Sequence, residues 1–288
     1  MVKVEAYGSL TRRQEDLFRL GYYYKSLAAV TLLTTTDALT FKARASQNVD
    51  GHVLASSSLK VVGSKVTFTP KRRTDGLQQY TLEYTPNADL KLKGELKTKQ
   101  TATSRTADST VAVEYRQPTY ALKLAVTDPN LGVRLSGTTE KDGRGVGADG
   151  TFDVALQRFA TYNLALWTTE ARHSLVFKHN GSDKAAYSLG DFLFSYYNEA
   201  STSIRLGALV KYSYPRKDTS IEFGGDYRYD EKTVLRGKVN SLGLLGLGMT
   251  RNLNEYLRIG LAAQFDVKKV KASNVSDYHF GLRLDFTT

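Results

Sequence analysis

The sequence predicts an all-β protein, a transmembrane β-barrel of about 19 strands with an N-terminal amphipathic helix. Three observations carry this expectation. Apolar and polar residues alternate over roughly eight to eleven residues in one segment after another, the period of strands with two unlike faces. No stretch approaches the roughly 18 consecutive apolar residues of a membrane-crossing helix. Tyr dominates the aromatics, 18 against 12 Phe and 1 Trp, and a ring with an apolar body and a wet end suits a surface between lipid and water.

The helix comes first. Residues 5–20, "EAYGSLTRRQEDLFRL", place Ala6, Tyr7, Leu10 and Leu17 on one arc, with Phe18 at its margin and Arg12, Glu15, Asp16 and Arg19 elsewhere. This reads as one helix of about four turns ending at Gly21, a residue suited to the C′ position. Alone it would be marginal in water, so its apolar face must dock. The expected division is therefore 1–24 as helix and hinge and 25–288 as barrel.

After Gly21 the period becomes two. Leu39, Phe41, Ala43 and Ala45 oppose Thr40, Lys42 and Arg44; Leu90, Leu92 and Leu96 oppose Lys91, Lys93, Glu95 and Lys97. Val111, Val113 and Tyr115 oppose Glu114 and Arg116, and Leu257, Ile259, Leu261, Ala263 and Phe265 oppose Arg258, Gly260, Gln264 and Asp266. Turn clusters such as Asp75-Gly76 and Pro86-Asn87 separate the runs. With about 264 residues after the helix, about 10 per crossing strand and about 4 per turn, roughly 19 strands fit.

The same alternation would serve a soluble sandwich, but its strands usually run about 5–6 residues and bury their apolar faces on each other. Strands nearly twice that length fit a membrane barrel, whose apolar side chains meet lipid and whose polar face lines water. Tyrosines near strand ends (Tyr80, Tyr84, Tyr162, Tyr196, Tyr197, Tyr212, Tyr214, Tyr227, Tyr229, Tyr256, Tyr278) read as girdles at the headgroups. The polar positions then fall in the lumen: Lys42, Arg44, Lys91, Lys93, Arg116, Lys123, Arg134, Arg205, Lys211, Arg228, Arg236, Lys238, Arg258 and Arg283. Glu95, Glu114, Asp153, Glu222, Asp226, Asp266 and Asp285 share that face but are fewer. With Lys+Arg 40 against Asp+Glu 29 and a net charge of +11, a basic wall raises the local concentration of anions and favours their passage.

At the C-terminus Tyr278, Phe280, Leu282, Leu284 and Phe286 alternate with His279, Gly281, Arg283 and Asp285. With an odd strand count, such a strand meets the first, roughly Ser26–Thr36, in parallel and leaves no edge.

Three stretches carry a family resemblance: Tyr7, Leu10, Arg12, Asp16, Phe18 and Gly21-Tyr22 near the start; "KVNSLGLLGLGMTRNL" (Lys238–Leu253) followed by "LRIGLAAQFD" (Leu257–Asp266); and the terminal "HFGLRLDF". In these the chain resembles the voltage-dependent anion channels, the eukaryotic mitochondrial porins. The ends match over about 90 residues and the middle by pattern only. The resemblance implies a passive, voltage-gated conduit of the mitochondrial outer membrane for ATP, ADP, phosphate and other small metabolites, with the helix against the inner wall. It implies that Arg12, and more weakly Arg13 and Arg19, contact anions from the helix. It implies that Gly21 acts as a hinge and that His279, Gly281, Leu284 and Phe286 form the sorting signal. Two departures stand out: the family's Gly-rich hinge is here "GYYYK", and Leu20 precedes Gly21 where the family has Lys. Glu83 falls near the family's lipid-facing acid, but alternation with Leu82 and Tyr84 puts it in the lumen.

Other chemistry finds little support. "GVGADG" (Gly145–Gly150) satisfies a dinucleotide pattern but lacks the strand before and helix after that such a site needs, and reads as a flexible turn. Four His share no ligand spacing, Cys is absent, and no catalytic motif occurs, so the reading is a channel and not an enzyme, with no cofactor. Asn180-Gly-Ser182 and Asn274-Val-Ser276 read as chance sequons, because Met1–Tyr7 has no signal-peptide core. Tyr and Lys/Arg fall mostly on opposite faces, whereas a single-strand nucleic-acid binder needs them together. The partners expected are membrane lipid, small anionic metabolites including adenine nucleotides, and further copies of the chain or other outer-membrane proteins. The rival functions are a protein-conducting import translocase barrel of the same superfamily and a non-conducting structural barrel in a membrane complex.

Overall fold

Two-residue periodicity persists through the fold because successive side chains of a strand point to opposite faces. A computed structural model describes residues 4–24, 26–48, 50–101, 104–129, 131–182, 189–268 and 278–288; the sequon at 274–276 lies outside them. Nineteen strands form among the described residues: β1 (Ala28–Thr35), β2 (Leu39–Gln47), β3 (Val53–Val62), β4 (Val66–Arg73), β5 (Leu77–Tyr84), β6 (Leu90–Gln100), β7 (Arg105–Arg116), β8 (Tyr120–Asp128), β9 (Gly132–Lys141) and β10 (Arg144–Asp153). They continue as β11 (Arg158–Thr169), β12 (His173–Ser182), β13 (Asp191–Glu199), β14 (Ile204–Ser213), β15 (Asp218–Arg228), β16 (Thr233–Asn240), β17 (Leu244–Asn252), β18 (Leu257–Asp266) and β19 (Tyr278–Thr287). All belong to one sheet, in which β1 pairs antiparallel with β2 and in parallel with β19. The strand order returns from β19 to β1, so the sheet closes on itself, and that closing pair is parallel. No helix of the described residues is long and apolar enough to cross a membrane.

Two compact units divide the chain. The first comprises Met1–Arg12, Lys60–Ser195 and Val210–Thr219; the second comprises Arg13–Leu59, Tyr196–Leu209 and Ser220–Thr288. In the first, the register aligns Tyr84, Leu92, Val113, Leu124 and Leu135 in one row across β5 to β9. In the second, Leu235, Met249, Leu261 and Leu282 form a row across β16 to β19, and Leu282 continues onto Ala28 at the seam. Leu124, Leu135, Leu235, Leu261 and Leu282 are all exposed. An uncovered apolar face of this extent has lipid as its solvent.

Three local expectations change. The single helix expected over 5–20 is broken into a 3-10 turn at Tyr7–Ser9 and α1 at Arg12–Arg19. Gly8 and Ser9 are weak helix residues, and the Ser9 hydroxyl turns back to donate to the Ala6 carbonyl at 2.9 Å. "GVGADG" is not a turn: Gly145–Gly150 lies wholly within β10, and the turn is the preceding Asp142-Gly143, both at positive φ. Finally, Tyr197 does not join a girdle. It is 5% exposed, and its hydroxyl donates to Glu199 at 2.7 Å on the polar face.

Candidate functional site: the polar wall and the segment docked on it

In the first unit the polar face carries residues 4–12. Thr138 donates to the Glu5 carbonyl at 2.9 Å, and the Tyr7 hydroxyl donates to the Leu164 carbonyl at 3.3 Å. Tyr7 and Leu10 pack on Ala165, Trp167 and Val176, an apolar island on an otherwise polar wall. Two glycines of β10 make the approach possible. A side chain at Gly145 would collide with the Trp167 indole, and a Cβ at Gly147 would meet Thr138 Cγ2 at 2.8 Å and Tyr7 Cδ2 at 3.2 Å. The indole Nε1–H donates to Glu140 at 3.0 Å. Lys178, 7% exposed, donates to Thr11 Oγ1 at 3.1 Å and to the Tyr7 carbonyl at 3.5 Å, with its ammonium 5.2 Å from the Tyr7 ring centre. Burial pushes the Tyr7 phenol up to about 12; Asp149 adds to the rise and Arg134 opposes it.

The second unit carries residues 13–24. Leu17 and Phe18 bury against Gly207, and Phe18 also against Gly224. Lys238 donates to the Phe18 carbonyl at 2.7 Å, pairs with Glu222 at 3.0 Å and sits 4.8 Å from the Tyr22 ring centre. The last carbonyls of a helix lack intrahelical donors and sit at its negative end, so a lysine is well placed there. Gly21 follows with φ +82, and a Cβ on it would meet Arg236 Nη1 at 2.5 Å. Tyr23 then crosses the wall at Gly260 and Gly281, where any side chain would collide with it, and Arg283 stacks 4.9 Å from its ring centre. The glycines that "GYYYK" lacks are thus supplied by the wall beneath it.

The pairing register places Lys42, Arg44, Lys91, Lys93, Lys123, Arg134, Arg228, Arg236, Lys238, Arg258 and Arg283 on this polar face. Arg205 joins them through its ion pair with Asp226, and Lys211 follows by alternation along β14. Many of these charges are matched. Arg134 makes a bidentate pair with Asp149 at 2.7 and 3.0 Å, and Arg205 grips Asp226 in the same way. Lys91 pairs with Glu83 at 2.8 Å, Lys93 with Glu95 at 3.0 Å and Arg283 with Asp285 at 2.7 Å. Arg236 donates to Thr250 at 2.9 Å and Arg258 to Asn252 at 2.7 Å. Among the described residues, no carboxylate lies within ion-pair distance of Lys42, Arg44, Lys123, Lys211 or Arg228. On α1, Arg12, Arg13 and Arg19 are exposed while Gln14, Leu17 and Phe18 face the wall.

A closed sheet with a polar face and an N-terminal helix has clear relatives. Residues 5–288 match the model of the eukaryotic porin family. The chain belongs to that family. This porin is 23% identical to the "mitochondrial outer membrane protein porin" of Candida albicans, over 92% of this chain and 93% of the relative. It is 24% identical to a "probable voltage-dependent anion-selective channel" of Caenorhabditis elegans, over 97% of each chain. It is also 24% identical to the "non-selective voltage-gated ion channel VDAC3" of Mus musculus, over 94% and 95%. A solved mutant of Rh. blastica porin shares the fold with a TM-score of 0.50 at 7% identity, covering 80% of this chain and 88% of that one. The porin is a pore-forming channel of the mitochondrial outer membrane and not an enzyme.

Sequence reasoning passed over several residues that position the porin's N-terminal segment. Trp167 and Lys178 lie on the polar parity of β11 and β12, opposite Leu166 and Phe177; that parity was the available signal. Gly145 and Gly147 share the inner parity of β10 with Asp149. At the C-terminus Leu282, Leu284 and Phe286 align with the apolar row of β1, whereas Gly281 lies under the Tyr23 carbonyl and His279 is opposite Gln264.

Proposed function

We propose that this porin is a voltage-gated, anion-preferring diffusion pore for ATP, ADP, phosphate and other small metabolite anions. One observation carries the reading: the acids of the polar wall are largely tied to neighbouring cations, while Lys42, Arg44, Lys123, Lys211 and Arg228 are left without a carboxylate partner among the described residues. Their field is positive, and it acts where solute passes. Arg12, Arg13 and Arg19 add exposed cations from α1. In this proposal residues 1–24 form the gating unit on a 25–288 barrel, Gly21 is its hinge, and His279, Gly281, Leu284 and Phe286 direct the chain to its membrane. Reversal potentials in planar bilayers under a potassium chloride gradient test it. The expected result is an anion-selective open state that weakens when Lys42 and Arg44 are changed to Glu; cation selectivity of the unmodified open state would sink the proposal.

A further inference from the structure

The apolar face is not uniform. On β9 to β12 it is indented by a groove of about 480 Å³. Short side chains on the apolar parity, Thr139, Val146 and Thr168, form its floor, and Leu166, Phe177 and Phe194 stand around them. At the turn end of the β9–β10 hairpin sit two cations, Lys141 and Arg144. They are directly paired across the hairpin, both exposed, and on the same parity as Val146 and Thr139. Side chains here face the membrane, where a basic group is rare unless it lies at the interface.

Its depth can be read from the neighbouring strand. Tyr120 pairs with Thr139 and lies 6.0 Å, ring to ring, from Tyr115, which marks the headgroup level at this end of the sheet. Lys141 and Arg144 are two residues farther out, about 7 Å at the rise of a strand. The nearest acids do not neutralise them within the groove. Glu140 is among the lining residues, but it has the opposite parity and its carboxylate accepts the Trp167 indole proton on the inner face; Asp142, at the tip of the turn, is outside the lining.

We propose that this groove is a binding site for an anionic phospholipid. One acyl chain lies over Thr139, Val146 and Leu166, and the headgroup phosphate is held by Lys141 and Arg144. The charge pair selects the headgroup, and the length of the apolar groove below selects a lipid over a free anion. Each basic residue near a membrane surface contributes about 1 kcal/mol toward anionic lipid, a factor of about five.

The single tryptophan supplies the probe. Trp167 lies over Gly145 and is among the residues that line the groove. Bromine on an acyl chain quenches indole emission only at short range. The full chain would be reconstituted in vesicles with brominated phosphatidylglycerol or brominated phosphatidylcholine at equal mole fraction. The expected result is about 25-fold stronger relative binding of phosphatidylglycerol, reduced about fivefold by Lys141→Gln or by Arg144→Gln and abolished by the pair. Val146→Phe, which fills the groove and leaves both charges, should lower quenching by both lipids. Arg72→Gln with Arg105→Gln, basic residues at the other ends of their strands, should change nothing. Equal quenching by the two lipids in the unmodified chain would overturn the proposal, as would a phosphatidylglycerol preference that survives the double substitution. Loss of the preference in millimolar inorganic phosphate would assign the cations to a free anion instead. Quenching that disappears as protein is concentrated in the membrane would assign the groove to a second copy of the chain.

Discussion

Gly147 lets Tyr7 reach the wall, and the absent side chain is as much part of the docking site as Lys178. A Cβ there would crowd Thr138 Cγ2, the Gly137 carbonyl and Tyr7 Cδ2 at 2.8 to 3.2 Å. Gly147→Val should therefore expel Tyr7 at a cost of about 1–3 kcal/mol, shifting Trp167 emission to the red while the strand signal in circular dichroism stays. Gly94, with nothing within 4 Å of an added Cβ, is the control site, and Gly94→Val should leave the emission unchanged. Tyr7 also gives docking a pH limit. Its phenol is pushed up to about 12 from an ordinary 10.0, so the docked form holds its proton while an undocked phenol loses it. The docked state thus binds more protons between those values, and docking weakens as pH rises through that window, with no change from this group below it. Trp167 emission should be flat to about pH 10 and then shift. The difference from Tyr7→Phe isolates the contribution of the phenol.

The strands were legible because each must show lipid a mainly apolar face, and that requirement is written locally, residue by residue, in a period of two. The N-terminal segment was less so. Its apolar residues mark the docked face, but the break between Tyr7–Ser9 and α1 is stabilised by partners far along the chain: Lys178 for Thr11, Thr138 for Glu5. Nothing within residues 5–20 announces them. "GYYYK" misleads for the same reason, since its backbone room comes from Gly260 and Gly281 on β18 and β19. The carboxyl end of α1 rests on Lys238, which serves Phe18 and Glu222 at once. Lys238→Met should remove the cap and strand Glu222, a loss of about 1–3 kcal/mol. Amide exchange in the last turn of α1 should then accelerate about tenfold or more, whereas Lys211→Met, which touches neither group, should not alter it. Unchanged exchange in Lys238→Met would mean that the packing of Leu17 and Phe18 alone holds the helix.

For the whole molecule, composition gives the sign of the field but not its sources. A net charge of +11 counts Arg134, Arg205 and Lys91 equally with Lys42 and Arg44, yet the first three face carboxylates within hydrogen-bond reach and act on a passing ion mainly as dipoles. A dipole's field falls faster with distance than that of a single charge, so selectivity should follow the cations without such partners. This makes ionic strength a discriminating variable. The screening length is about 30 Å at 0.01 M salt and about 3 Å at 1 M. A pore whose preference comes from a sparse set of wall charges should discriminate strongly in dilute salt and approach the ratio of free-solution mobilities near 1 M. A pore selecting by narrow contact would keep its preference at both. Substituting Lys42, Arg44, Lys123, Lys211 and Arg228 by Gln should flatten that salt dependence. Replacing Arg134 with Asp149, and Arg205 with Asp226, by neutral pairs should leave it nearly intact, because each substitution removes equal and opposite charges. If the neutral pairs instead abolish selectivity, the paired residues are the ones an ion meets, and the field of the unpartnered cations is not what decides passage.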